Sequence, residues 1–298
     1  MFFSKSDAQA KRKKLKKQLA SGTLHRFPGA FSPVVSKLIE ELGFDGVYIS
    51  GAVLSADLGL PDIGLTTASE VIARGHAIAS ATNLPALIDI DTGFGAPINA
   101  ARTVQGLEEH GLSGCHIEDQ VHPKRCGHLD HKQLIDVEAM VKKIKAGVEA
   151  RRDSNFVLIA RTDARATEGL AGAIERAKQY IAAGADMIFP EALEDESEFE
   201  KFRKAIDVPL LVNMTEFGKT KLLTKKQLED LGINLVIYPV TTFRLALKAV
   251  EDGLKTIFND GTQAKLLDSM QTRKRLYELL EYEGYNEFDK GIYNFKIK

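Results

Sequence analysis

Eight short runs rich in β-forming residues, set between recurring Gly, Pro, Asn and Asp and separated by longer apolar stripes at helical spacing, constrain this chain more than any other feature. The runs fall at 25–29, 46–50, 86–91, 114–120, 156–163, 187–191, 210–215 and 235–240, and helical stripes at 66–82, 97–110, 133–150, 170–183 and 242–252 lie between or after them. Parallel strands need crossover connections, and eight such units within 298 residues favour a (β/α)8 TIM-type barrel over an open doubly wound sheet. No GxGxxG follows the first run, which weakens a dinucleotide-binding reading. Length alone would allow roughly two domains. No Pro-, Gly- or Ser-rich linker divides the chain, so it reads as one α/β domain: a basic segment 1–21, a barrel 22–261 and a helical tail 262–298.

Six of the seven residues 11–17 are basic, which predicts a solvated helical face rather than a transit peptide or an RNA-binding arm. A net charge of -1 offers no overall attraction to nucleic acid. No apolar run approaches the ~20 residues that cross a bilayer, and Met1-Phe2-Phe3-Ser4 leads into charge, so a cytoplasmic protein is expected. The tail carries Leu266, Leu267, Met270, Leu276, Leu279 and Leu280 with no barrel face left to cover, which predicts contact with another subunit.

Barrel active sites stand at the carboxyl ends of the strands, and here those ends are polar. Strand period puts Asp89 and Asp91 on one face about 7 Å apart, and likewise His116 with Glu118. Glu191 ends the sixth run. Converging carboxylates repel unless a cation or a shared proton intervenes, although a helix cap and an arginine partner would also account for the first pair. Oxygen ligands with few imidazoles suit Mg²⁺, or Mn²⁺, in preference to zinc. Arg161, Arg244 and Arg273 stand against these acids and suggest a ligand with several carboxylates. Lys124 and Arg125 precede Cys126, a setting that lowers a thiol pKa, and Gly127 permits close backbone approach. Cys115 reads as a small buried hydrophobe, and neither cysteine has a CxxC partner. No lysine lies in the eight runs, which argues against a Schiff-base aldolase.

KRCGH at 124–128, with SGA at 50–52, DIDTGFG at 89–95, HIEDQ at 116–120 and NMTEFG at 213–218, resembles the isocitrate lyase / phosphoenolpyruvate mutase superfamily. The likeness implies a barrel with the extra C-terminal helical segment exchanged between subunits, a homotetramer with swapped C-terminal helices, and bound Mg²⁺. It implies that Asp89 and Asp91 hold the metal, with Asp57, His116, Glu118 and Glu191 around them. Ser50, Gly51, Ala52, Cys126, Gly127, Arg161, Glu191, Asn213, Met214, Thr215, Arg244 and Arg273 would bind a tricarboxylate substrate. Tyr48, Lys124, Cys126, His128 and Arg161 would carry the chemistry, a cleavage of 2-methylisocitrate into pyruvate and succinate. Phe189, Ile237 and Pro239 fall where the resemblance places a pocket for the extra methyl group. Cleavage of isocitrate, phosphonate mutation or oxaloacetate decarboxylation on the same scaffold are the alternatives, and a non-catalytic carboxylate-binding barrel is a rival of another class.

Overall fold

The computed structural model describes residues 5–125, 127 and 132–296. Eight parallel strands are present: β1 (His25–Pro28), β2 (Val47–Ile49), β3 (Ala86–Asp89), β4 (Gly114–Glu118), β5 (Val157–Thr162), β6 (Met187–Pro190), β7 (Leu211–Asn213) and β8 (Leu235–Tyr238). They form a five-stranded sheet β2-β3-β4-β5-β6 and a three-stranded sheet β1-β8-β7. Bridges Gly29 to Tyr48 and Ile188 to Leu210 join the two sheets at both seams, so the strands close into a barrel. Each strand stops one or two residues short of the end that its apolar run predicts, because the last residues turn away to build the rim.

The helices are α1 (Ala8–Ala20), α2 (Pro33–Glu41), α3 (Gly51–Asp57), α4 (Ala68–Ser80), α5 (Pro97–Glu109), α6 (Val137–Ala150), α7 (Arg165–Ala182), α8 (Glu196–Ala205), α9 (Lys225–Asp230), α10 (Thr241–Asp260), α11 (Arg273–Leu279) and α12 (Tyr282–Tyr293), with a 3₁₀ turn at Ala264–Ser269. Strand alternation separates two apolar layers. Phe27, Tyr48, Leu87, Val157, Ile159, Met187, Phe189, Leu211, Leu235 and Ile237 fill the lumen, while Ile88, Ile90, Cys115, Ile117, Leu158 and Ala160 face the helices. The period that turns Leu87 inward therefore turns Asp89 inward as well, one step nearer the rim. Among the described residues no helix is long and apolar enough to cross a membrane.

The basic segment is only in part the expected solvated face: Lys13, Lys14 and Lys17 are exposed, but the other side of the helix is covered. α1 closes the amino-terminal mouth of the barrel, and its Leu15 and Leu19 join the lumen cluster. Lys11 and Arg12 are buried. Lys11 Nζ donates to the Ala79 carbonyl, and Arg12 donates to the carbonyls of Leu112 and Glu108. Lys16 pairs with Asp186 at the foot of β6. Lys11 and Arg12 thus satisfy carbonyls in the last turns of α4 and α5 and in the loop before β4, so the run acts as a plug. Leu15→Ala is expected to destabilise the fold by about 2–5 kcal/mol, as for other fully buried leucines, measurable by urea unfolding.

Candidate active site

The chain makes a sharp turn after β3. Asp91 has φ 46°, a left-handed conformation that aspartate tolerates better than most residues. Its N–H donates to Asp89 Oδ1 at 2.9 Å. The turn brings both carboxylates to one point: a Cβ added to Gly51 would lie 2.9 Å from Asp89 Oδ2 and 3.2 Å from Asp91 Oδ1. The Gly51 N–H itself points at Asp89 Oδ2, at 3.3 Å. Ser50 and Gly51 are buried beside these acids and Ala52 is half-buried.

Lys124 is buried and lies 3.0 Å from Asp91 Oδ1, with Asp62 as its second carboxylate partner. His116 is fully buried, with Nδ1 3.6 Å from Asp89 Oδ1 and Nε2 2.7 Å from the Tyr48 hydroxyl. Burial, helped by Arg161, holds the imidazole pKa down at about 3, so the ring is neutral. A neutral ring that carries its proton on Nδ1 accepts the Tyr48 hydroxyl proton at Nε2. Burial, and next the Asp89 charge, pushes the Tyr48 phenol well above its ordinary value.

Arg161 organises the other half of the site. Its Nε lies 3.2 Å from Glu118 Oε2, and Nη1 lies 3.6 Å from Glu191 Oε2. Asp163 grips the guanidinium with both oxygens, at 2.9 and 3.1 Å. The guanidinium carbon sits 5.2 Å from the Phe189 ring centre. Asn213 donates to Glu191 Oε1 at 3.4 Å. Gly127 belongs to the same group: a Cβ there would stand 2.3 Å from Arg161 Nη2 and 2.6 Å from Glu191 Cγ, so this backbone rests directly on the pair.

Six carboxyl groups, of Asp62, Asp89, Asp91, Glu118, Asp163 and Glu191, thus face three cations, Lys124, Lys132 and Arg161. Burial shows in the acids themselves. Burial, and then Asp89, raises the Asp91 carboxyl to about 6, and burial raises Asp89 and Glu118. Asp163 remains well below the carboxylate range: burial works the other way, but Arg161 and Lys132 outweigh it. Asp91 Oδ1 and both Glu118 carboxylate oxygens are buried without a hydrogen bond. Among the described residues no three His, Cys, Asp or Glu side chains converge as a complete ligand set. A cation held by two carboxylates and water does not need one.

Several expected residues are placed otherwise. Asp57, near the end of α3, pairs with Arg74 on α4, and it is Asp62 that joins the cluster. Arg244 is exposed, and Nη1 donates to the Glu216 carbonyl at 2.6 Å and meets Glu216 Oε2 at 3.1 Å. That acid accounts for the cation without a ligand. Arg273 is exposed on α11, which packs on α2, and takes part in none of the contacts just described. Met214 is buried, its sulfur accepting the Leu223 N–H at 3.3 Å, and Thr215 is buried next to it. Cys126 and His128 lie outside the described residues. Asp62, Asp163, Lys132 and Glu216 are additions that the sequence reading lacks. Only Asp163 carried a signal, since strand period aligns it with Arg161.

A closed parallel barrel whose carboxyl-end rim gathers buried acids around a clamped arginine defines a class of enzymes acting on small polycarboxylates and their analogues. Residues 15–258 match the phosphoenolpyruvate phosphomutase family, and the chain belongs to it, within the phosphoenolpyruvate mutase/isocitrate lyase superfamily. It is 56% identical over 295 residues to the probable 2-methylisocitrate lyase 2 of Corynebacterium glutamicum, covering 99% of this chain and 96% of that one. It is 46% identical to the 2-methylisocitrate lyase of Bacillus subtilis, over 94% and 92% of the two chains. Among solved structures it is similar to oxaloacetate acetylhydrolase in complex with 3,3-difluorooxalacetate, with a TM-score of 0.91, 31% identity and coverage of 98% and 100%. It is also similar to 2,3-dimethylmalate lyase, with a TM-score of 0.88, 29% identity and coverage of 98% and 99%.

Proposed function

We propose that this chain is a Mg²⁺-dependent carbon–carbon lyase that cleaves 2-methylisocitrate into pyruvate and succinate. The observation that carries this reading is the seating of Gly127, from KRCGH, on Arg161 and Glu191 beside the buried acids. It brings the backbone next to the thiol residue and the acids to one rim. Near full-length identity to relatives bearing the 2-methylisocitrate lyase name supports the substrate.

The residues present fit a hard dication. Their donors are carboxylate oxygens, and Asp91 Oδ1 and both Glu118 oxygens are buried without a hydrogen bond. Asp89 and Asp91 would hold Mg²⁺, or Mn²⁺, directly or through water, with Asp62, Glu118, Glu191 and His116 around them. The bound ion supplies Lewis acidity that steadies negative charge on the substrate hydroxyl and its neighbouring carboxylate.

The chain's own groups do the rest. Ser50, Gly51, Ala52, Asn213 and Thr215 bind carboxylates. A rim carboxylate acting as base takes the hydroxyl proton, assisted by Tyr48, which His116 orients, and Arg161 stabilises the oxygen left behind. The bond from the hydroxyl-bearing carbon to its CH neighbour breaks, the first carbon becomes the ketone of pyruvate, and the electron pair passes to the succinate fragment. Lys124 and Asn213 face the charge that spreads into its carboxylate, and Cys126 delivers the proton that completes succinate. The thiol acts as an acid and forms no covalent bond. A keto-acid assay offering 2-methylisocitrate and isocitrate, each with Mg²⁺ or EDTA, tests this reading. Pyruvate from the methylated substrate, abolished by EDTA, is expected; glyoxylate from isocitrate alone would move the assignment to isocitrate cleavage.

A homotetramer completes the proposal, with α10 rather than the tail 262–298 as the exchanged helix. α10 runs for 20 residues without one buried side chain, leaving Leu245, Leu247, Val250, Leu254, Ile257 and Phe258 exposed. A largely apolar groove of about 660 Å³ lies open between α2 and the start of α10, lined by Phe31, Val35, Leu38 and Leu245. An apolar helix and an apolar groove on one chain suit mutual exchange between copies. Arg273 would then serve a neighbouring site. Leu254→Glu is expected to shift the mass measured by light scattering from tetramer toward smaller species; an unchanged tetramer would contradict the exchange.

A further inference from the structure

We propose that Lys132 is a positioning residue for the proton delivery step, holding the Gly127 backbone on the Arg161–Glu191 pair through a bridge to Asp163. The inference rests on the lyase reading given above. Lys132 is buried, its side chain 1% exposed. Its ammonium donates to the Gly127 carbonyl at 2.5 Å and to Asp163 Oδ1 at 2.8 Å. That carboxylate oxygen also accepts from Arg161 Nη2 at 3.1 Å, and the Asp163 N–H is fixed to Asp119 Oδ1 at 2.9 Å. One anchored carboxylate therefore sets the place of both the guanidinium and the Gly127 peptide.

A counter-ion role alone does not account for this arrangement. Arg161 already gives Asp163 two hydrogen bonds, one to each oxygen. What Lys132 adds is the Gly127 carbonyl, a neutral acceptor five residues back in the chain. Gly127 is in contact distance of the site and is covalently joined to Cys126, the proposed acid. Lys132 has no hydrogen bond or ion pair with Ser50, Gly51, Asn213 or Thr215, the groups proposed for the carboxylates. Loss of the ammonium would move the proton donor while leaving that carboxylate-binding set in place.

Steady-state kinetics of full-length Lys132→Met, Lys132→Gln and Lys132→Ala, each with Mg²⁺ and 2-methylisocitrate, test the proposal. Since a misplacement of about 1 Å costs ~10²-fold, Lys132→Met should lower kcat by about that factor with KM within about threefold. Lys132→Gln retains an N–H donor for the carbonyl and should recover part of the loss, and ethylammonium should restore Lys132→Ala in a saturable way. The last two also answer the question should the methionine variant not fold. A folded Lys132→Met with wild-type kcat overturns the proposal, as does a loss that neither glutamine nor the amine relieves, which would leave charge balance alone. A wild-type enzyme that releases no pyruvate brings down the lyase reading and this inference with it, whereas an active wild type beside an unimpaired Lys132→Met removes the inference only.

Discussion

Replacing Cys126 by serine is expected to lower turnover on 2-methylisocitrate by about 10²–10⁴-fold, the range of a lost general acid, with little change in the unfolding midpoint. A thiol ionises near 8.5 in isolation, and Lys124 and Arg125 just ahead of it favour the thiolate that remains after the proton is given up. A serine hydroxyl is a far weaker acid and offers the carbanion-like fragment almost no driving force. Its size is similar, so carboxylate binding should persist and KM should move little. The other thiol does not confuse the result: Cys115 is fully buried on β4, and burial, then Asp89, pushes its pKa up. Alkylation by iodoacetamide should therefore abolish activity in the wild type while Cys126→Ser takes up almost no label. A serine variant with wild-type turnover would remove Cys126 from the acid role.

Arg161→Met should have the largest combined effect. The guanidinium stands among Glu118, Asp163 and Glu191, all buried. Taking away one partner of a buried ionic group leaves uncompensated charge, and such losses run at about 3–5 kcal/mol. The acids would take up protons to limit that cost, so the destabilisation should grow from pH 5 to pH 8 as they are forced to ionise. Turnover should fall below detection, because the same cation steadies the oxygen formed in the reaction. Arg161→Lys should restore some stability and little activity, since an ammonium cannot reproduce the fork that Asp163 grips at two points. Urea unfolding at several pH values, paired with the pyruvate assay, measures both effects. Wild-type stability in Arg161→Met would mean that the acids are already neutralised by other means.

Much of this architecture can be read from periodicity. All eight runs become strands, because a buried parallel strand requires a continuous apolar stretch and the turn residues that end it. The inward step from Leu87 to Asp89 and the shared face of His116 and Glu118 follow from the same two-residue repeat. α1 was harder to place. Its Lys11 and Arg12 are satisfied by carbonyls at the ends of α4 and α5 and before β4, which no charge pattern advertises, and only Leu15 and Leu19 mark its buried side. Asp57 and Asp62 show the limit from another direction. The helical turn directs Asp57 to Arg74, while Asp62 sits in the loop after α3, where no repeat sets its direction. The Arg244–Glu216 pair joins the first turn of α10 to the loop after β7, a contact made only when the barrel closes. Lys132 is one lysine in a polar loop, and only its three-dimensional partners distinguish it.

The central claim is that Asp89 and Asp91 hold one hard dication at the rim that Arg161 and Gly127 share. Anomalous diffraction from crystals grown with Mn²⁺ tests it most directly. A single strong manganese peak beside these two carboxylates, lost in Asp89→Asn/Asp91→Asn while the barrel stays folded, is the expected result. A peak elsewhere on the molecule, or none there at saturating Mn²⁺, would contradict it.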